Sequence, residues 1–202
     1  IDAIIATHPD ADHIGGLPEV INNFDVGVVM EPGVKSGTNT YKEFKRVVGE
    51  KNIQTVLARR GMRINLDENV YLKILFPNQN VEDWDTNEAS IVARLIYGEN
   101  SFLFTADSPQ KIENYLASIY QDDLKIDVLK VGHHGSKTSS SEIFLGYTDP
   151  DYAIISAGKG NSYGHPHKEV MYRLESFSIP VFRTDELGTI KIRSDVSKLY
   201  IE

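Results

Sequence analysis

Residues 8 to 13 read His8, Pro9, Asp10, Ala11, Asp12, His13, directly after a short apolar run that reads as a buried strand. Four of these six side chains can bind a metal ion, and a strand end with the first turn after it can aim them at a common point. Convergence is the requirement, because each ligand must come within about 2.0 to 2.2 Å of the ion. The six histidines of the chain fall in three short clusters, His8 with His13, His133 with His134, and His165 with His167. Histidines serving only as surface or core residues would scatter. No cysteine is present, so any metal is held by imidazole and carboxylate. An ion so held can lower the pKa of a bound water to about neutrality, which supplies hydroxide for attack.

The elements that must position these groups alternate between strand-like apolar runs and helical patterns, the signature of an α/β layered fold. The opening strand, Ile1 to Thr7, leads into the hexapeptide. Gly15 to Phe24 reads as a helix, Asp25 to Glu31 as a strand, and Asn39 or Thr40 caps a helix to about Gly49. Three strands follow, Thr55 to Ala58, Met62 to Leu66 and Val70 to Phe76, and then a polar loop from Pro77 to Asn87. Ser90 to Tyr97 and Ser101 to Thr105 read as a hairpin around Gly98, Glu99 and Asn100. Its second strand delivers Asp107, after which Ser108 and Pro109 start a helix carrying Ile112, Tyr115, Leu116 and Ile119. Ile126 to Val131 is a buried strand ending at Gly132, His133, His134, Gly135. Ser139 to Tyr147 reads as helix, Tyr152 to Ala157 as strand, Gly158 to His167 as a Gly- and His-bearing loop, and Val170 to Phe177 as helix. Pro180 to Thr184 and Thr189 to Arg193 close the pattern. Each His cluster, and Asp107, therefore follows a strand, where α/β folds place ligands.

At 202 residues and 41% hydrophobic content the chain is expected to form one domain with a real core. No apolar stretch approaches the roughly 18 to 20 residues of a membrane span, and the start lacks the basic-then-apolar pattern of a signal peptide. The reading expects a soluble piece of a longer protein, since Ile1 lies inside a core strand without an initiator Met. The net charge of −8 argues against a broad polyanion-binding face, while leaving room for a cleft in which bound divalent ions reverse the local field.

Taken together, the motifs resemble the metallo-β-lactamase superfamily, and within it the ComEC-type domain of the competence DNA-uptake channel. The residues that carry the resemblance are the hexapeptide with Asp10 where most members have His, Ile14-Gly15-Gly16, Phe104 to Asp107, Val131 to Ser140, Ser162 to Pro166, and Asn87 with Ser90 and Val92. The resemblance implies a four-layer αββα sandwich with a metal cleft at one edge, here without the β-hairpin that usually precedes the hexapeptide strand. It implies two divalent ions, zinc or manganese with magnesium as a further candidate. His8 and Asp10 would hold one, Asp12 and His13 the other, and Asp107 would bridge them. Many members place a further His ligand between the hexapeptide and the bridging Asp, and this chain has no His from position 14 to position 132. Its first metal position is then weak, completed by another group, or suited to a harder ion.

Other roles stay open at this level. Side chains of adjacent residues on an extended segment point to opposite sides, so one of His133 and His134 is expected to be a ligand. The reading takes His134 as ligand and His133 as acid or phosphate contact. His165 is either the last ligand or the proton donor to the leaving group, and His167 reads as a surface residue at a helix start. Ser136, Lys137, Thr138, Lys159, Asn161 and Tyr163 are candidate phosphate contacts, each equally plausible as a solvated loop residue. The alternative for the hexapeptide is that Asp10 and Asp12 are ordinary loop acids and His13 caps the next helix. The function expected is a metal-dependent phosphodiesterase, with a nuclease acting on DNA as the specific form the resemblance implies, and with Asp12, His133 and His165 at the reacting centre. Its rivals are a hydrolase of a small phosphoester, cyclic nucleotide or lactone, and a catalytically degenerate DNA-guiding or structural module. An extracytoplasmic location would follow from attachment to a membrane channel.

Overall fold

The computed structural model describes residues 1–202, which form two compact units, residues 1–62 with 74–91 and residues 63–73 with 92–202. No helix is long and apolar enough to cross a membrane.

The first unit is built on three parallel strands in the order β1 (Ala3–Ile5), β2 (Val28–Glu31) and β3 (Gln54–Leu57), with Ala3 opposite Val28 and Val28 opposite Gln54. Between β1 and β2 come two short helices, α1 (Ala11–Ile14) and α2 (Leu17–Asn23), and between β2 and β3 runs α3 (Asn39–Glu50). The second half of the hexapeptide is thus helical, and His13 lies inside α1 instead of capping the next helix. The cap of α3 falls one residue before the expected ones, because Thr38 has the extended backbone a cap needs and its hydroxyl accepts from the Tyr41 amide at 3.2 Å. Its stripe of Phe44, Val47 and Val48 buries against Ile4, Ala6, Ile14, Ile21 and Val29. Phe44 is 1% exposed, and truncating such a ring to alanine costs about 3 to 5 kcal/mol. Trp84, in the acidic stretch of the polar loop, packs locally on Val34, Val81 and Ala89. At the end of that loop the Ile91 amide donates to the Thr7 carbonyl at 2.9 Å, pinning the residue before His8.

The second unit carries most of a seven-stranded sheet ordered β10 (Val181–Arg183), β9 (Tyr152–Ile155), β8 (Val128–Lys130), β7 (Asn100–Phe104), β6 (Val92–Tyr97), β5 (Val70–Phe76), β4 (Arg63–Asp67). The β6–β7 hairpin is tighter than expected: Tyr97 pairs with Asn100, so only Gly98 and Glu99 turn, with Gly98 at φ +59. β7, β8, β9 and β10 run parallel. Their C-terminal ends therefore share one sheet edge, and the segments after β7, β8 and β9 carry Asp107, the histidine pair and His165. The connecting helices are α4 (Gln110–Tyr120), α5 (Glu142–Thr148), α6 (Lys168–Ser176) and α7 (Thr184–Leu187). α4 starts one residue late, with Pro109 as its cap. α5 starts at Glu142 because the Ser141 hydroxyl caps it by accepting from the Phe144 amide at 3.2 Å. A hairpin of β11 (Ile192–Ser194) and β12 (Leu199–Ile201) ends the chain. Only its first strand is visible in the sequence pattern, displaced by a few residues.

Candidate metal centre

The first unit gathers the hexapeptide side chains around the β1 to α1 turn. Asp10 caps α1 through its carbonyl, which accepts from the His13 and Ile14 amides at 3.0 Å each, while its carboxylate makes no capping bond. That carboxylate faces the buried His8 ring, with Oδ2 3.8 Å from Nε2. His13 Nε2 stands 3.7 Å from Asp12 Oδ2, and the two imidazole centroids are 4.1 Å apart. Thr7 Oγ1 lies 3.2 Å from His8 Nδ1 and 3.5 Å from His13 Nδ1, so a single hydroxyl steadies both rings from behind.

The second unit builds its cluster from separate segments. Ala106 takes φ +47 to turn the chain after β7, and its carbonyl accepts from the His133 amide at 2.9 Å, which ties the Asp107 turn to the histidine turn. The expectation of an extended histidine pair fails here. His133 and His134 are both left-handed, at φ +47 and +54, and this backbone lets adjacent imidazoles reach the same carboxylate. His133 Nε2 is 3.6 Å from Asp107 Oδ2 and His134 Nε2 is 3.7 Å from Oδ1, with Asp107 only 3% exposed. His134 Nδ1 sits 2.8 Å from the Ser156 carbonyl, which can only accept, so Nδ1 carries the proton and Nε2 keeps its lone pair for a ligand. Thr138 Oγ1 lies 3.2 Å from His133 Nδ1 and steadies that ring.

His165 joins this group, its ring 5.6 Å from His133 and 6.4 Å from His134. Burial holds its imidazole below the ordinary value, His167, His133 and His134 push the same way, and Asp107 opposes them. His167 is a helix-start residue, the N-cap of α6, but not a free surface one. Its Nδ1 accepts from the Lys137 amide at 3.1 Å and its ring lies 4.8 Å from His165. Gly135, at φ +83, lets the two loops meet: a Cβ there would come within 2.6 Å of Pro166 Cβ.

The remaining candidates divide. Ser136 is buried and its hydroxyl lies 3.0 Å from that of Thr138. Asn161 uses its amide to hold His165, donating to its carbonyl at 2.6 Å and accepting from its amide at 2.9 Å. Lys137 and Lys159 are exposed. Three residues escape sequence reading. Lys130, at the end of β8, donates to the Val131 carbonyl at 3.1 Å; burial lowers its pKa while Asp107 opposes. Glu113, on the inner face of α4, is fully buried and accepts from the Ser140 and Ser141 amides at 2.7 and 2.9 Å. Arg173, on α6, donates to the Ser139 and Ser140 carbonyls at 2.9 and 2.6 Å. Together Glu113 and Arg173 clamp the segment that follows the histidine pair. Each is one of several charged residues in its helix, with no spacing to mark it.

The donor sets fit a divalent ion. The nitrogen-to-carboxylate separations of 3.6 to 3.8 Å within each unit exceed hydrogen-bonding distance. They approach the roughly 3.4 Å that separates two ligands placed about 2.1 Å from one tetrahedral ion.

Comparison with known proteins gives a consistent picture. The metallo-beta-lactamase superfamily model matches residues 1–159. ComE operon protein 3 of Bacillus subtilis is 35% identical over 195 residues, covering 96% of this chain and 24% of that protein. Competence protein ComA of Neisseria gonorrhoeae is 32% identical over 191 residues, covering 95% of this chain and 25% of its own length. The chain thus spans about a quarter of the length of these curated relatives. Among solved structures, CmlA, a diiron beta-hydroxylase from Streptomyces venezuelae, superposes with a TM-score of 0.59 at 14% identity, covering 91% of this chain and 43% of that one, a likeness of fold.

Proposed function

Given that the chain belongs to the metallo-β-lactamase superfamily, we propose that it is a metal-dependent phosphodiesterase acting on DNA. The observation that supports this reading is the buried Asp107 carboxylate, one oxygen of which faces the imidazole assigned as a ligand, His134, and the other the imidazole assigned as the acid, His133. In this reading His8 with Asp10 and Asp12 with His13 would each hold an ion in the first unit, and Asp107, His134 and His165 would serve as ligands in the second. Ions bound there would activate a water and polarise the phosphoryl group. Asp12, exposed at the first turn of α1, accepts the proton of the attacking water. His165, whose imidazole pKa is held below its ordinary value by burial and by its imidazole neighbours, is read as a ligand. His133, its Nδ1 steadied by Thr138, then protonates the leaving oxygen. Lys137 and Lys159 meet the flanking phosphates. The kinship with competence proteins supports DNA as the substrate.

The test incubates the purified chain with single-stranded DNA and Mn²⁺, Zn²⁺ or Mg²⁺, beside a variant carrying Asp12→Ala and His13→Ala. Cleavage by the parent alone is expected; equal cleavage by both sinks the assignment. The net charge of −8 favours a second reading, a small phosphoester substrate needing no electrostatic steering. Faster turnover of small chromogenic phosphodiesters than of DNA would select it.

A further inference from the structure

Tyr163 has no part in the chemistry above, yet its ring is 77% exposed in the loop that carries His165. It lies 5.7 Å from the His165 ring with 22° between their planes, and His165 is in turn nearly parallel to His134, at 6.4 Å and 16°. The three rings make a row that begins beside Asp107 and ends in solvent at Tyr163. The loop is built to hold this arrangement. Besides fixing both backbone polar groups of His165, Asn161 donates to the Gly158 carbonyl at 2.9 Å. Gly160 and Gly164 take φ +67 and +71, and a Cβ at either would meet nothing within 4 Å. These glycines serve the backbone path and not close packing, and the space beside Gly164, next to Tyr163, is open.

A flat aromatic face left in water at the end of such a row suits another flat π-system. An unpaired nucleobase has that shape, and stacking on aromatic side chains is how single strands are gripped without regard to sequence. A duplex keeps its base faces covered by their neighbours. Exposed Lys159, in the same loop, adds a charge for the attached phosphate. Resting on the nuclease reading, we propose that Tyr163 is the stacking platform for the base adjacent to the cleaved phosphodiester, so that the protein takes single-stranded DNA.

The test measures equilibrium binding of a fluorescent single strand, and of an abasic strand of equal length, to the full chain and to Tyr163→Ala and Tyr163→Phe, with turnover followed in parallel. Base–aromatic stacking predicts that Tyr163→Ala weakens binding of the normal strand roughly ten- to hundredfold, with Tyr163→Phe close to the parent. The abasic strand should bind the parent and Tyr163→Ala equally. A loss that is the same on both strands, or no loss at all, overturns the platform, as does failure of the parent to bind. Base-dependent binding without turnover leaves the platform standing and instead sinks the nuclease reading.

Discussion

In the first unit the four candidate ligands arrive within six consecutive residues, two of them carboxylates at least partly open to solvent, with one threonine hydroxyl beside both imidazoles. In the second they arrive on three segments separated in sequence, centred on one buried carboxylate and held by left-handed backbone, a buried acid and an arginine. The contrast separates two ways of making a binding geometry. A short motif at a strand end needs only the strand and one helical turn to converge. A distributed cluster needs the sheet topology, and its supporting residues cost stability where their charge is buried.

The sharpest way to break this comparison is to remove the hub of the buried cluster. Asp107→Ala should lose activity to background, beyond the ten- to hundredfold typical of residues that merely support a ligand, with bound metal falling in the same sample when measured by elemental analysis. If Asp107→Ala retains both metal and turnover, the second cluster is not a metal site.

The next effect tests the scaffold. Burial pushes the Glu113 carboxyl up to about 7 from 4.5, against the Ser140 and Ser141 amides and Arg173, which pull it down. Unfolded, the group releases its proton near the lower value; folded, it keeps it to the higher one. Between these pH values the folded state binds more protons, so stability should fall as pH rises through that window, by on the order of 3 kcal/mol in all. Urea unfolding across pH should show this slope in the parent and lose it in Glu113→Gln. An unchanged slope would mean that Glu113 titrates normally.

A smaller effect is expected at the first cluster. Asp10→His exchanges an oxygen donor for nitrogen, which should raise affinity for Zn²⁺ over Mn²⁺ by about tenfold. Competition titration of the two ions against the parent measures it, and an unchanged ratio would show that Asp10 does not ligate.

The same contrast explains what the sequence reveals. The hexapeptide, Asp107 after its strand and the clustered histidines are legible because type and spacing carry them, and the metallo-β-lactamase kinship read from them is borne out by the family match and by the competence relatives. The element pattern is legible to within a few residues, the caps less so, since Thr38, Pro109 and Ser141 were decided by single hydrogen bonds or backbone angles. The turn of His133 and His134 is hidden, because non-glycine residues seldom adopt positive φ and nothing nearby in the chain announces it. Glu113, Arg173 and Lys130 are hidden for another reason. Their partners lie 27 and 28, 34 and 33, and 1 residues away, and those partners are backbone groups that mark no residue type.

The left-handed histidines also bear on how this protein can change. An L-residue in that conformation carries a penalty of about 1 to 2 kcal/mol that glycine escapes, so His133→Gly should resist denaturant better than His133→Ala by about 1 kcal/mol. At this position, then, mutation toward a hardier fold and mutation toward a working imidazole lead in opposite directions. A screen for thermal tolerance alone would accept glycine at this position, and with it the loss of the imidazole proposed above as the proton donor.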